Sequence, residues 1–336
     1  MYDNNNKLVE ETKLHYDNTE QRFDEFIKRA SLRNSIGCED YDVLIFAAAY
    51  KIYTYRYNLI SKEVIRYDND KELNINYNYA YNDYDLIKEE VVQESDGSML
   101  KKMYRYANDI DNYNGPTPIN PVTRAILSMS RPAGKYMLRY PIETVIYKND
   151  DVVDAYLQTY KEFGLRILPY QTFKLDINES IDDYKFSGFN SVYNTPLVID
   201  DRFSLKSIIN KYDDYGNILQ IKNHESDIVT TILYGYKNTL PVAEIINQTY
   251  DEVKGYIQDY TGNTNLSSTQ INSLINNLPN AQISTYTFDP LKGMTSETGP
   301  DNIKLNYEYD DFGRLKLVKD HNGHILKRYT YQYRVQ

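Results

Sequence analysis

Residues Tyr309–Tyr331 read Tyr-Asp-Asp-Phe-Gly-Arg-Leu-Lys-Leu-Val-Lys-Asp-His-Asn-Gly-His-Ile-Leu-Lys-Arg-Tyr-Thr-Tyr, and they decide the fold. Tyr309-Asp310-Asp311-Phe312-Gly313 is a turn closing onto a strand that places Leu315 and Leu317 on one face. Asp320-His321-Asn322-Gly323 then breaks the pattern. Asn-Gly tolerates two positive φ angles in succession, so Asn322-Gly323 predicts a hairpin with a type I′ turn. Beyond it Ile325, Tyr329, Tyr331 and Tyr333 share one parity, and His324, Arg328, Thr330 and Gln332 share the other. A period of two is that of a half-buried strand.

Tyr212-Asp213-Asp214-Tyr215-Gly216-Asn217-Ile218-Leu219 repeats this opening, matching at the Tyr, both Asp, the aromatic and the Gly. The hairpin expected over Leu86–Tyr106, turning at Ser95-Asp96-Gly97-Ser98, echoes the final unit, with Asp85 where the Gly would stand. The order Tyr-Asp-x-x-Gly, then Asp-x-x-Gly, then Tyr-x-Tyr resembles the RHS/YD repeat, a bacterial module. Tyr234–Ile245, Tyr286–Ser296 and Lys319–Ile325 are similar to stretches of one branch of that family, and the resemblance covers Tyr41–Tyr333.

The resemblance implies antiparallel ribbons that spiral into a hollow shell, export to the bacterial surface, and in some members an enclosed C-terminal toxin freed by self-cleavage. The sequence departs from the last point. It ends three residues after Tyr333, and Asp289-Pro290-Leu291-Lys292-Gly293 precedes the last repeat without the rest of a cleavage core. That segment is expected to be a turn, because Pro and Gly mark turns.

Composition agrees with a β fold. Of 336 residues, 36 are Tyr, 10 are Phe and none is Trp. Tyrosine packs its ring on a pleated surface while its hydroxyl stays wet, so a large sheet with a thin, partly hydrated core is expected. The formal net charge is -10. Scattered Lys and Arg give no basic stripe, which argues against nucleic acid. One cysteine, Cys38, excludes an internal disulfide framework and reads as a small buried residue. Tyr2-Asp3-Asn4-Asn5-Asn6 has neither a basic nor an apolar region, so the sequence as given shows no signal peptide, either because there is none or because it has been removed, and no apolar run is long enough for a transmembrane segment.

Along the chain, residues 1–40 form an N-terminal segment with helical spacing around Thr19–Leu32, and residues 41–336 form the repeat-like β domain. Strands are expected at Val43–Tyr50, at Leu59–Arg66 paired with Leu73–Tyr81, at Ile142–Tyr147 with Val152–Tyr160, and within Ile167–Ile177. On Leu73–Tyr81 the aromatic and aliphatic residues alternate with Asn, so a one-residue slip would exchange every Tyr for an Asn. A helix is expected over Pro121–Ser130. Residues 241–280 read as a helical insertion, opened by capping boxes at Thr249 and Ser267, and Asp289–Pro300 as a turn-rich link.

No chemistry emerges from motif spacing. The histidines His15, His224, His321 and His324 form no zinc pattern, and no phosphate loop or nucleophile elbow occurs. Asp320-x-Asn322-Gly323 has the flavour of a calcium loop, but the twelfth position is Tyr331. The expectation is therefore a non-enzyme without cofactor or metal. The residues singled out are the structural repeat positions Tyr212, Asp213, Gly216, Tyr309, Asp310, Gly313, Asn322 and Gly323, with Tyr329, Tyr331 and Tyr333 as a docking edge for strand addition. The function expected is a structural or interaction module of a surface or secreted assembly, with other proteins as partners. Two alternatives stand beside it: an adhesin using exposed Tyr rows on a glycan or protein, and a remnant of a toxin-encapsulating carrier.

Overall fold

The computed structural model describes residues 8–17, 23–33, 44–54, 57–68, 71–111, 113, 120–131, 134–189 and 197–332. The protein is mainly β and its strands, 51% of it, pair antiparallel. Contacts divide the chain into two compact units: Met1–Tyr104 with Thr144–Val153 and Ser180–Asp182, and Arg105–Glu143 with Asp154–Glu179 and Asp183–Gln336.

In the first unit β1 (Glu10–Tyr16) lies against β4 (Leu59–Asp68), which continues through β5 (Lys71–Tyr81) and β6 (Ile87–Gln93) to β7 (Met99–Tyr106). The hairpin from Leu59 to Tyr81 is the one its alternation predicts, with Val64 opposite Ile75 and Lys62 opposite Tyr77. Its two faces are less distinct than the alternation of Tyr and Asn implies. Leu73 is exposed, while Asn74 and Asn76 are as half-buried as Tyr77 and Tyr79. Among the described residues of β1 and β4–β7 within this unit, only Val64 and Ile65 are buried.

The sequence reading is overturned at the N-terminus. The helix expected around Thr19–Leu32 is instead β2 (Phe23–Arg33), paired along its length with β3 (Leu44–Thr54). Helical spacing of a few apolar residues is a weak local preference, and an eleven-residue antiparallel partner overrides it. Cys38 and Tyr333 lie outside the described residues.

The second unit is a meander in which each strand pairs with the next. It runs β9 (Asp151–Phe163, from Asp154), β10 (Arg166–Leu175), β11 (Phe203–Tyr212), β12 (Ile218–Asn223), β13 (Val229–Gly235), β14 (Leu240–Ile246), β15 (Gln282–Asp289), β16 (Gly293–Thr298), β17 (Lys304–Tyr309), β18 (Leu315–Lys319) and β19 (Ile325–Arg328). β8 (Pro141–Lys148) precedes β9. Pro290–Lys292 is the expected turn, but Gly293–Thr298 beyond it is strand rather than link, paired on both sides. The insertion is likewise shorter than expected, since Leu240–Ile246 is β14.

Helices α1 (Ala107–Ile110) and α2 (Pro121–Ser130) cover one core, and α3 (Tyr250–Tyr256) and α4 (Ser268–Asn277) cover another. α2, α3 and α4 each start where an N-cap side chain satisfies free N–H groups. Asn120 accepts from Val122 and Thr123, and both expected capping boxes form, Thr249 with Glu252 and Ser267 with Gln270. The α2 core gathers Ile110, Ile126, Met129, Ile142, Leu157 and Phe189. The insertion core gathers Leu233, Ile245, Val253, Ile257 and Leu274. Tyr256, the last residue of α3, is exposed, while Ile257 just beyond it is buried.

Candidate functional site

The repeat positions come together as one device used many times. Among the described residues, six turns share a frame, opening at Asn82, Glu94, Asp213, Gly299, Asp310 and Asp320. In each, the first residue donates its N–H to the carbonyl four residues on, and the fourth residue donates back to the first. The fourth residue always has positive φ: Asp85 at 55°, Gly97 at 85°, Gly216 at 94°, Asn302 at 62°, Gly313 at 74° and Gly323 at 85°. That is a type I turn followed by a left-handed residue and a bulge. Gly carries no Cβ penalty there, and Asp and Asn tolerate it.

The side chain of the first residue does the second half of the work. Asp213 Oδ1 accepts the N–H of Tyr215 (2.9 Å) and of Asn217 (2.8 Å), and its Oδ2 accepts from Asn217 Nδ2 (2.8 Å). Asp310 repeats this with Phe312 (3.0 Å) and Arg314 (2.9 Å), and adds the Arg314 guanidinium at 2.7 Å. Those hydrogen bonds, led by Arg314, hold the Asp310 carboxyl below its usual range. Asn82 Oδ1 accepts from Tyr84 and Leu86 at 3.0 Å each, so an amide fills the slot equally well.

Asp320 accepts from Asn322 (2.9 Å) and His324 (2.8 Å), which corrects one expectation. Only Gly323 of the Asn322-Gly323 pair has positive φ, so the turn is not type I′. The Asp320 carboxylate captures the N–H groups of Asn322 and His324 and keeps Asn322 in the ordinary region. Its oxygens serve the turn, with the His324 ring at 3.1 Å from Oδ2.

The tyrosine before the turn acts differently, and sequence reasoning missed how. Tyr81, Tyr212 and Tyr309 each end a strand at a register shift. Each sends its hydroxyl back to a carbonyl of the preceding strand: Tyr81 to Leu59 (2.9 Å), Tyr212 to Pro169 (2.7 Å), Tyr309 to Met294 (2.8 Å). The hydroxyl thus ties the strand to the one before it, while the bulge shifts its register against the one after it. Burial, with a smaller contribution from Tyr160, pushes the Tyr212 hydroxyl up to about 12. Tyr331 makes the same bond, to Leu315 at 2.8 Å, and its ring sits 4.4 Å from the Arg314 guanidinium.

Tyr331 and Tyr329, expected at a docking edge, are both exposed, as are all of residues 321–332. β19 is shorter than the alternation implies and ends at Arg328, although Tyr329 still donates its N–H to Lys316 at 2.9 Å. Phe312 and Tyr215 occupy the same slot of their two turns and stand out at the tips, 83% and 64% exposed.

One polar cluster had no signature in the sequence. Glu143 on β8 is fully buried. Its carboxylate accepts from Arg105 Nη1 (2.6 Å), the Tyr184 hydroxyl (2.6 Å), Ser187 N (3.1 Å) and Ser187 Oγ (2.9 Å). Arg105 also donates to the Ser187 carbonyl at 2.7 Å. Burial and the Glu143 charge push the Tyr184 hydroxyl far above the usual range, so it stays a donor. Nearby Asp200, 2% exposed, is bidentate to Arg202 and accepts from Lys185 N, which holds its carboxyl well below the usual range. These carboxylates pin the irregular stretch between β10 and β11. Every oxygen faces a donor of the chain itself, an arrangement suited to fixing a segment.

No family model matches the chain, and no curated protein sequence matches it. Among solved structures it is similar to the crystal structure of TcdB2-TccC3-Cdc42, at 8% identity and a TM-score of 0.35, covering 82% of this chain. It is also similar to the Photorhabdus luminescens Tc holotoxin pore with a TccC3 mutation, at 9% identity and a TM-score of 0.35, covering 86% of this chain. The chain spans 14% of the length of each of these two.

Proposed function

We propose that the chain is a non-catalytic structural module of the RHS-repeat type that works with other proteins in a bacterial surface or secreted assembly. The observation that carries this reading is the Tyr-Asp turn itself. The motif after which the repeat is named recurs with one hydrogen-bond pattern at Asp213 and Asp310, and with Asn in its place at Asn82. Its tyrosine ties neighbouring strands in each case. Side chains that a binding protein would offer to a ligand are here bonded to the backbone. That weighs against the adhesin reading, in which the hydroxyls would be free for a glycan.

The partner surface in this proposal is the exposed C-terminal hairpin with Tyr329 and Tyr331. The test is in-cell crosslinking and fractionation in the bacterium that makes the protein. The wild-type chain is expected at the surface or in the medium, crosslinked to a second protein. Replacing Tyr329 and Tyr331 with Asp is expected to abolish the crosslink while the far-UV spectrum is retained. A monomer confined to the cytoplasm, or strong glycan-array binding without a protein partner, would overturn the proposal.

A further inference from the structure

The second unit holds a groove of about 450 Å³ between α4, the start of β15 and the turn from β16 to β17. Its apolar wall is Ile271, Ile275, Leu278, Pro279, Ala281 and Ile283. Asn272, Thr285, Thr298 and Asn302 supply the polar atoms, and among the described residues no charged one lines it. That neutrality is unusual in a chain of which 26% of residues are charged. Ile275, one residue after the buried Leu274, is 49% exposed, and Ile303, 51% exposed, follows Asn302 in the turn.

The volume falls within the roughly 300–1,000 Å³ typical of small-molecule sites, which are apolar concavities with a few polar groups to set orientation. Here those groups are two hydroxyls and two amides, none of them ionisable. A charged occupant would leave its charge desolvated against them without a counter-ion. A neutral one carries no such charge penalty, can re-form its hydrogen bonds to these groups, and gains the apolar wall. We infer that this groove binds an uncharged, mainly apolar small molecule that carries a hydrogen-bonding group. The inference is independent of the structural role proposed above: the groove borders one turn of the shared frame, at Gly299–Asn302, but none of its residues belongs to the Tyr-Asp turns or the C-terminal hairpin.

A pair of dyes that share one ring system tests it: phenylnaphthylamine, which is neutral, and its sulfonated analogue anilinonaphthalenesulfonate. The neutral dye is expected to saturate a single site on the full chain by fluorescence titration. The anionic analogue should bind about tenfold more weakly, because its sulfonate would be buried unpaired. Ile275→Asp should abolish the neutral site, and Asn272→Trp, which fills the groove from an exposed helix position, should do the same if the first variant fails to fold. Ile228→Asp, on an exposed turn of the same unit, should leave it unchanged. Equal affinity for both dyes overturns the inference, as does binding that survives Asn272→Trp. So does a site that disappears as protein concentration rises, which would mean that a second copy of the chain covers the groove.

Discussion

The Tyr-Asp turns and the stretch between β10 and β11 are both held by carboxylates, on opposite terms. Asp213 and Asp310 are half-buried and accept N–H groups two and four residues ahead. Glu143 is fully buried and accepts from residues 38 to 44 positions away. The first arrangement is local, wet and repeatable, so it can be copied along a chain. The second is long-range, dry and made once. The contrast separates two uses of one functional group: a turn carboxylate sets geometry at little energetic risk, whereas a buried one ties distant segments and must be fully satisfied.

The strongest way to break the comparison is to remove the buried carboxylate. Glu143→Ala leaves Arg105 without its acidic partner and the Ser187 N–H without an acceptor, so it should cost about 3–5 kcal/mol, the range for breaking a buried pair. The urea midpoint measures it. Tyr184→Phe removes one donor and should cost clearly less, because the Arg105 pair remains. If Glu143→Ala costs no more than removing a turn Asp, the distinction between the two uses collapses.

What could be read from the sequence follows the same division. Turn frames, helix caps and hairpins depend on neighbours within a few residues, and Asp-x-x-Gly, Thr249 with Glu252, and Pro121 all announce them. The strands over Ile142–Tyr147 and Val152–Tyr160 were legible for the same reason. Glu143 could not be recognised, because Tyr184 and Ser187 reach it only after the sheet has formed. β2 was misread because its partner lies on another segment, and β16 because Gly293, Thr295 and Ser296 look like turn residues until both neighbouring strands are in place. The tyrosine bridges lay between these cases. Their positions were visible in the repeat, but their acceptors lie on the preceding strand, between 15 and 43 residues back.

Those bridges give an intermediate test. Tyr212→Phe keeps the ring and deletes the hydroxyl bond to Pro169, which should cost about 1 kcal/mol, the net worth of one such bond. An equal loss is expected at Tyr81 and Tyr309, whose hydroxyls do the same work. Alkali probes Tyr212 together with two other buried or half-buried tyrosines. Tyr212, Tyr160 and Tyr307 are pushed up to about 12 in the folded chain, with burial as the leading cause, against an ordinary 10. A raised folded value means that the stabilisation is complete below pH 10 and is lost as pH rises through 12. Absorbance at the tyrosinate band should therefore climb first with the exposed tyrosines, then in a second step that coincides with loss of β signal. One smooth titration near pH 10 would show that Tyr212, Tyr160 and Tyr307 are not protected.

The smallest effect expected is also the one that isolates the turn carboxylate from its charge. Asn82 shows that an amide oxygen accepts the same two N–H groups, so Asp310→Asn should leave the turn intact at neutral pH. What it removes is the negative charge that faces the Arg314 guanidinium. In the wild type the bond to Arg314 leads in holding the Asp310 carboxyl below its ordinary 3.8. A depressed folded value contributes stability above the unfolded value, and that contribution disappears as pH falls through the folded one. The wild type and Asp310→Asn should therefore differ slightly at pH 7 and converge below pH 4, as followed by thermal midpoints across the acid limb. Asp310→Ala, lacking any acceptor, should stay below both at every pH. Should the Asn variant behave like the Ala variant at neutral pH, the ion pair with Arg314, rather than acceptance of the turn N–H groups, would be what holds the repeat together.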